Sequence, residues 1–176
     1  SIERYWSPPA PHEVVMTEDE ALAQYRELFD EAVRCRLESD VPLGVMLSGG
    51  NDSTCVLEAM SRCTREPIRT FTVGFTRAKE SEAEFAQTAA QHFGTVHEEI
   101  SLQESDLIDY VEKLLPALDT PMADPSILPT ALVSRAARQH VTVCLTGDGG
   151  DELFGGYTRY VETIARANHP DPSPIS

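Results

Sequence analysis

The chain has 176 residues, enough for one domain with a sizeable core. Its 29 acidic and 14 basic side chains give a formal charge of -15, which weighs against nucleic acid or an anionic membrane surface as a partner. Cys35, Cys55, Cys63 and Cys144 form no Cys-x-x-Cys pair or zinc pattern, and no run reaches transmembrane length, so the expectation is a soluble cytoplasmic domain with reduced thiols.

Residues 1–16, proline-rich around Pro8, Pro9 and Pro11, read as an extended lead-in from a preceding domain. Thr17 with Glu20 makes a capping box, and Leu22, Tyr25, Phe29, Val33 and Leu37 follow helical spacing on one predicted buried face. Leu43 to Leu47 is a short apolar run with little alternation, suited to a strand buried on both faces, and a helix follows over 52–62. The alternation repeats. Arg69–Phe75 is a second predicted strand, and Ser81 with Glu84 caps a helix carrying Phe85, Ala89 and His92-Phe93 that stops at Gly94. Val96–Ile100 is a third strand, followed by an acidic helix from about Ser105 to Leu115, a loop over 119–125 and a helix over 126–139. Val141–Leu145 gives a fourth strand, residues 147–152 a second glycine-rich turn, and 157–166 a last helix. The proline-rich tail, 169–176, and the opening at Ser1 read as cut ends of a domain spanning 17–168. Strands alternating with helices predict an α/β fold, an open and mostly parallel sheet with helices on both faces.

The segment Leu47-Ser48-Gly49-Gly50-Asn51-Asp52-Ser53-Thr54 joins a buried strand to a helix start. Such a turn exposes backbone N–H groups and the positive end of a helix dipole, and its glycines let the backbone approach an anion. Asp52 beside that anion makes sense if a cation sits between them, and Mg²⁺ on pyrophosphate is the natural candidate. The segment is neither a Walker A loop nor Gly-x-Gly-x-x-Gly. The plainer reading is a sharp turn whose Asp52 and Ser53 cap the helix.

Ser48-Gly49-Gly50-Asn51-Asp52-Ser53 resembles the Ser-Gly-Gly-x-Asp-Ser loop of the ATP pyrophosphatases, with Asn51 where an apolar residue is common. Leu145-Thr146-Gly147-Asp148-Gly149-Gly150-Asp151-Glu152-Leu153-Phe154-Gly155-Gly156-Tyr157 is more specific. It is similar to the Ser-Gly-Glu-Gly-x-Asp-Glu-x-Phe-Gly-Gly-Tyr signature of asparagine synthetases and the related β-lactam synthetases. Thr146 and Asp148 replace its usual Ser and Glu. Val41-Pro42-Leu43-Gly44, Thr72-Val73-Gly74-Phe75 and Gly94-Thr95-Val96-His97-Glu98 extend the likeness over roughly residues 1 to 160.

The resemblance implies an adenine-nucleotide α-hydrolase-like fold that splits ATP between the α and β phosphates and adenylates a carboxylate. Aspartate is the expected substrate, amidated to asparagine by ammonia from a glutaminase domain. By carry-over, Leu47 and Val73 hold adenine, Ser48, Gly49, Gly50 and Ser53 the pyrophosphate, and Thr146 and Gly147 line the nucleotide pocket. Asp52 and Asp151 share Mg²⁺, and Asp148 orients the reacting carboxylate or ammonia, so that Asp52 and Asp148 carry the catalysis. The loop over 120–126 departs from the family where its substrate contacts fall, which keeps other carboxylates in play. The glutaminase and the later lysine-bearing region have no counterpart here, so a nucleotide-binding module without catalysis is the alternative of another class; a homodimer is left open.

Overall fold

The computed structural model describes residues 2–7, 15–75, 82–102, 110–120, 122, 124 and 126–168. Helix α1 (Glu18–Leu37) starts at the Thr17 box: the Glu20 N–H donates to Thr17 Oγ1 at 3.3 Å, and the Thr17 N–H to Glu20 Oε2 at 2.8 Å. Its apolar stripe is buried only in the C-terminal half. Val33 is buried with Phe29 and Leu37 packed on the core, whereas Leu22 is 48% exposed and Tyr25 sits at the boundary.

Strand β1 (Leu43–Met46), helix α2 (Asn51–Cys63), strand β2 (Arg69–Phe75), helix α3 (Glu82–Phe93) and strand β3 (Val96–Leu102) follow in alternation. Residues 110–114 are helical and run into a 3-10 turn, Leu115–Ala117. Then come helix α4 (Ile127–Ala137), strand β4 (Val143–Leu145), helix α5 (Gly150–Phe154) and helix α6 (Thr158–Asn168). Residues 150–152, expected within a turn, instead open a short helix that runs to Phe154, bracketed by Gly149 and Gly155, both left-handed. The predicted Ser81 cap and the acidic helix up to residue 109 lie outside the described residues.

All strand pairings are parallel, in the order β3-β2-β1-β4. Gly44 pairs with Arg69 on one side and Cys144 on the other, which makes β1 central. The continuous apolar run of β1 has its reason here. Val45 and Leu47 point into a core shared with Val56, Leu57, Ala59 and Met60 of α2 and Ala86 and Ala90 of α3. Met46 points to the opposite face, with Phe71, Val133, Ala137 and Val141. Helices therefore cover both faces, as parallel sheets require.

Of the residues expected along helix α3, Ala89 and Phe93 are half-buried and pack on the core. Ala83, Ala86 and Ala90 are buried and Phe85 is 65% exposed, and the first glycine turn meets the start of the helix at the Glu82 carbonyl, the Ala86 nitrogen and Phe85 Cβ. Among the described residues no helix is long and apolar enough to cross a membrane.

Candidate nucleotide-binding crevice

The chain runs β1, β2, β3 outward in one direction and then returns to place β4 on the other side of β1. The strand order thus reverses between β1 and β4. In open parallel sheets, ligands bind outside the carboxyl ends of the strands at such a switch point. Both glycine turns leave the sheet there, one after β1 and one after β4.

Helix α2 begins at Gly50 with no side-chain cap, so the plainer reading, in which Asp52 and Ser53 cap it, is not what the turn does. The hydroxyls are used inside the turn. Ser53 Oγ accepts from the Ser48 N–H at 3.2 Å and lies 3.0 Å from Ser48 Oγ, which accepts from the Gly50 N–H at 3.2 Å. Thr54 Oγ1 donates to the Gly50 carbonyl at 2.8 Å. Gly49 sits at φ 85° against the start of α3: a β-carbon there would overlap the Glu82 carbonyl and come 2.9 Å from the Ala86 nitrogen.

The second turn lies on the first. A β-carbon on Gly147 would stand 2.6 Å from the Ser53 nitrogen and 2.9 Å from Asp52 Cβ, and one on Gly150 would overlap the Asp52 carboxylate. Asp52 therefore lies against the residue next to Asp151. Thr146 Oγ1 donates to Asp148 Oδ2 at 2.8 Å, which fixes that carboxylate at the mouth of the turn.

Between the turns and α4 lies a crevice of about 760 Å³, within the range of small-molecule sites. The sequence-predicted residues Leu47, Ser48, Gly50, Asp52, Ser53, Val73, Thr146, Gly147, Asp148 and Asp151 all line it. Gly49 does not; it supports the turn from behind. Sequence reasoning missed Thr72, Glu82 and the α4 wall of Pro129, Thr130 and Val133. The signal for Glu82 is topological, since helices that follow parallel strands start at the carboxyl edge; α4 carries no comparable motif.

Asp52, Glu82, Asp148 and Asp151 bring four carboxylates to this lining, and no Lys or Arg is among the described lining residues. No three His, Cys, Asp or Glu side chains converge into a metal cage among the described residues. One or two carboxylates completed by phosphate oxygens and water is how Mg²⁺ is commonly held, so this donor set fits a nucleotide-borne Mg²⁺.

Behind the second turn, Tyr157 donates to Glu152 Oε1 at 2.6 Å, with the Arg159 guanidinium 4.1 Å from the Tyr157 ring centre. That bond pushes the Tyr157 phenol up to about 12 and holds the Glu152 carboxyl below the usual range. The clasp loses its Glu152 contribution as pH falls through the lowered carboxyl value, and its Tyr157 contribution as pH rises through about 12. An ultraviolet titration of the five tyrosines is expected to show one ionising near 12, and Glu152→Ala to return it toward 10.

Residues 24–173 match the family model described as Asparagine synthase. A putative glutamine-hydrolysing asparagine synthetase of Methanocaldococcus jannaschii is 36% identical over 158 residues, covering 89% of this chain and 30% of that protein. The glutamine-hydrolysing asparagine synthetase 1 of Bacillus subtilis is 34% identical over 148 residues, 84% of this chain and 23% of its own. The chain thus spans between 23% and 30% of the length of these relatives. Among solved structures, a glutamine-dependent NAD+ synthetase from Acinetobacter baumannii, in complex with adenosine diphosphate, aligns with a TM-score of 0.56 at 20% identity over 96% of this chain and 36% of that one. The NH3-dependent NAD synthetase of Campylobacter jejuni gives 0.56 at 15% identity, over 77% and 60%. At those identities the structural likeness concerns the fold.

Proposed function

This chain belongs to the asparagine synthase family, and from that premise we propose that its crevice binds Mg-ATP and adenylates a carboxylate, aspartate first among candidates, for amidation by ammonia. The observation that carries the reading is the packing of two glycine turns on each other at the switch point, with Asp52 against Gly150. The chain spans under a third of the length of these relatives, so the complete reaction is a proposal.

Strand β1 ends at Met46 while β2 continues to Phe75. Beyond the bond from the Leu47 N–H to the Phe71 carbonyl, 2.8 Å, the edge of β2 at Val73 has lost its β1 partner. Backbone groups at Leu47 and Val73 are thereby suited to the polar edge of adenine. The first turn receives the β and γ phosphates, with Ser48 and Ser53 already oriented by their mutual bond.

Mg²⁺, when bound, neutralises charge developing on pyrophosphate as it departs. Asp52 and Asp151 are the residues that would hold it. The substrate carboxylate oxygen attacks the α-phosphorus, the bond to the bridging oxygen breaks, and pyrophosphate leaves. Ammonia then attacks the acyl carbon, loses a proton, and AMP departs with its oxygen. Asp148, held by Thr146, orients the reacting group without attacking it. Most of the rate comes from orientation and fixed charge in the crevice.

The nucleotide product tests this reading. Incubation of the whole protein with ATP, Mg²⁺, aspartate and ammonia is expected to yield AMP and pyrophosphate only when the acid is present. ADP and phosphate, or acid-independent hydrolysis, would contradict it. The same AMP release with a different carboxylate, but not with aspartate, would keep the chemistry and change the substrate.

A further inference from the structure

Asp151 sits in the first turn of α5, a five-residue helix with no buried side chain. A helix this short is marginal alone and takes its position from what holds its ends. At its last residue, Phe154 meets Tyr25 of α1 edge-on, ring centres 5.3 Å apart at 84°. Tyr25 in turn stacks on Phe29, 5.4 Å away, and Phe29 packs on the main core. None of the described residues lining the crevice belongs to α1. An unbroken line of aromatic contacts therefore connects the core to the helix that carries Asp151.

We propose that the Tyr25–Phe154 contact is a positioning strut that sets where Asp151 stands relative to Asp52. Tyr25 and Phe154 are positioning residues for the metal–nucleotide site, which they do not touch. The inference rests on the proposed Mg-ATP reading of the crevice. It accounts for three features that the crevice alone leaves unused. Tyr25 continues the stripe of α1 past the point where that helix leaves the core. Phe154 is 64% exposed yet belongs to the signature segment. The Tyr25 phenol is also raised, first by burial and then by the charges of Cys55 and Asp52 of α2. The Glu152–Tyr157 clasp closes α5 back on the start of α6, so Phe154 is the aromatic tie between α5 and the core.

The test is calorimetric binding of ATP to the full 176-residue chain, with Mg²⁺ and with chelator, alongside thermal unfolding. Tyr25→Ala and Phe154→Ala are each expected to weaken binding with Mg²⁺ about three- to tenfold, the range of one aromatic pair, and to leave metal-free binding within about twofold. The double variant should lose no more than the worse single one, because both remove the same contact. Tyr25→Phe, which keeps the ring, should behave as the parent even if the alanine variants unfold earlier. Equal losses with and without Mg²⁺, additive losses in the double variant, or a Tyr25→Phe as weak as Tyr25→Ala would overturn the strut. If the parent chain gains nothing from Mg²⁺, the crevice reading fails together with the strut. If the parent gains and the alanine variants gain as much, only the strut fails.

Discussion

Gly49→Ala is expected to destabilise the chain by about 2–4 kcal/mol and to abolish measurable ATP binding. Two costs coincide at this residue. Its φ of 85° is left-handed, which an alanine adopts at about 1 kcal/mol, and the new methyl group would overlap the Glu82 carbonyl while crowding the Ala86 nitrogen. Backbone cannot step aside as a flexible side chain does, so either α3 shifts or the turn unwinds. In a domain of this size the loss corresponds to a fall in Tm of roughly 5–15 °C. Gly94→Ala is the matching control. Gly94 also has positive φ, 65°, but no atom lies within 4 Å of where its methyl group would stand, so only the conformational cost of about 1 kcal/mol is expected. Equal effects at both glycines would show that close packing of the first turn on α3 contributes nothing.

Asp52→Asn is expected to weaken Mg-ATP binding about 100-fold or more, since even the residues that support metal ligands are worth about 10–100-fold. The substitution keeps the shape of the side chain, and no side-chain cap of α2 depends on it. The fold should therefore survive, with Tm near the parent value. The sign without metal is opposite. Removing a negative charge from a crevice lined by four carboxylates should leave metal-free ATP binding unchanged or tighter. Titrations with and without Mg²⁺ should thus diverge. A parallel loss in both would mean that Asp52 contributes to the turn and not to a cation.

Much of this site was legible in the sequence because its parts are local. Ser48 to Ser53 and Thr146 to Asp151 are continuous segments between strand and helix, and parallel topology alone brings both to one edge. The Thr17 cap and the four strands were readable for the same reason: a hydroxyl three residues before a glutamate, and apolar runs bounded by glycine and proline. What was not legible depends on distance in sequence. Phe85 fits the helical period as well as Ala83 does, yet Ala83 is buried and Phe85 exposed, a choice made by tertiary packing. The exposure of Leu22 follows from where α1 leaves α2, which no periodicity records. Residues 150–152 read as part of a turn because glycines crowd an acidic pair; the left-handed Gly149 and Gly155 bracket a helix too short to carry an amphipathic pattern. The wall formed by Pro129, Thr130 and Val133 has no motif and is recognised only once α4 lies across the sheet.

The central claim is that this crevice splits ATP between the α and β phosphates to activate a carboxylate. It is tested most directly by running the same split in reverse, as exchange of labelled pyrophosphate into ATP by the whole protein with Mg²⁺, before any ammonia is added. Exchange that requires both aspartate and Mg²⁺ is the predicted result. Binding of Mg-ATP with no exchange under aspartate or any other acid supplied would contradict the claim and leave the crevice a nucleotide-binding site without this chemistry.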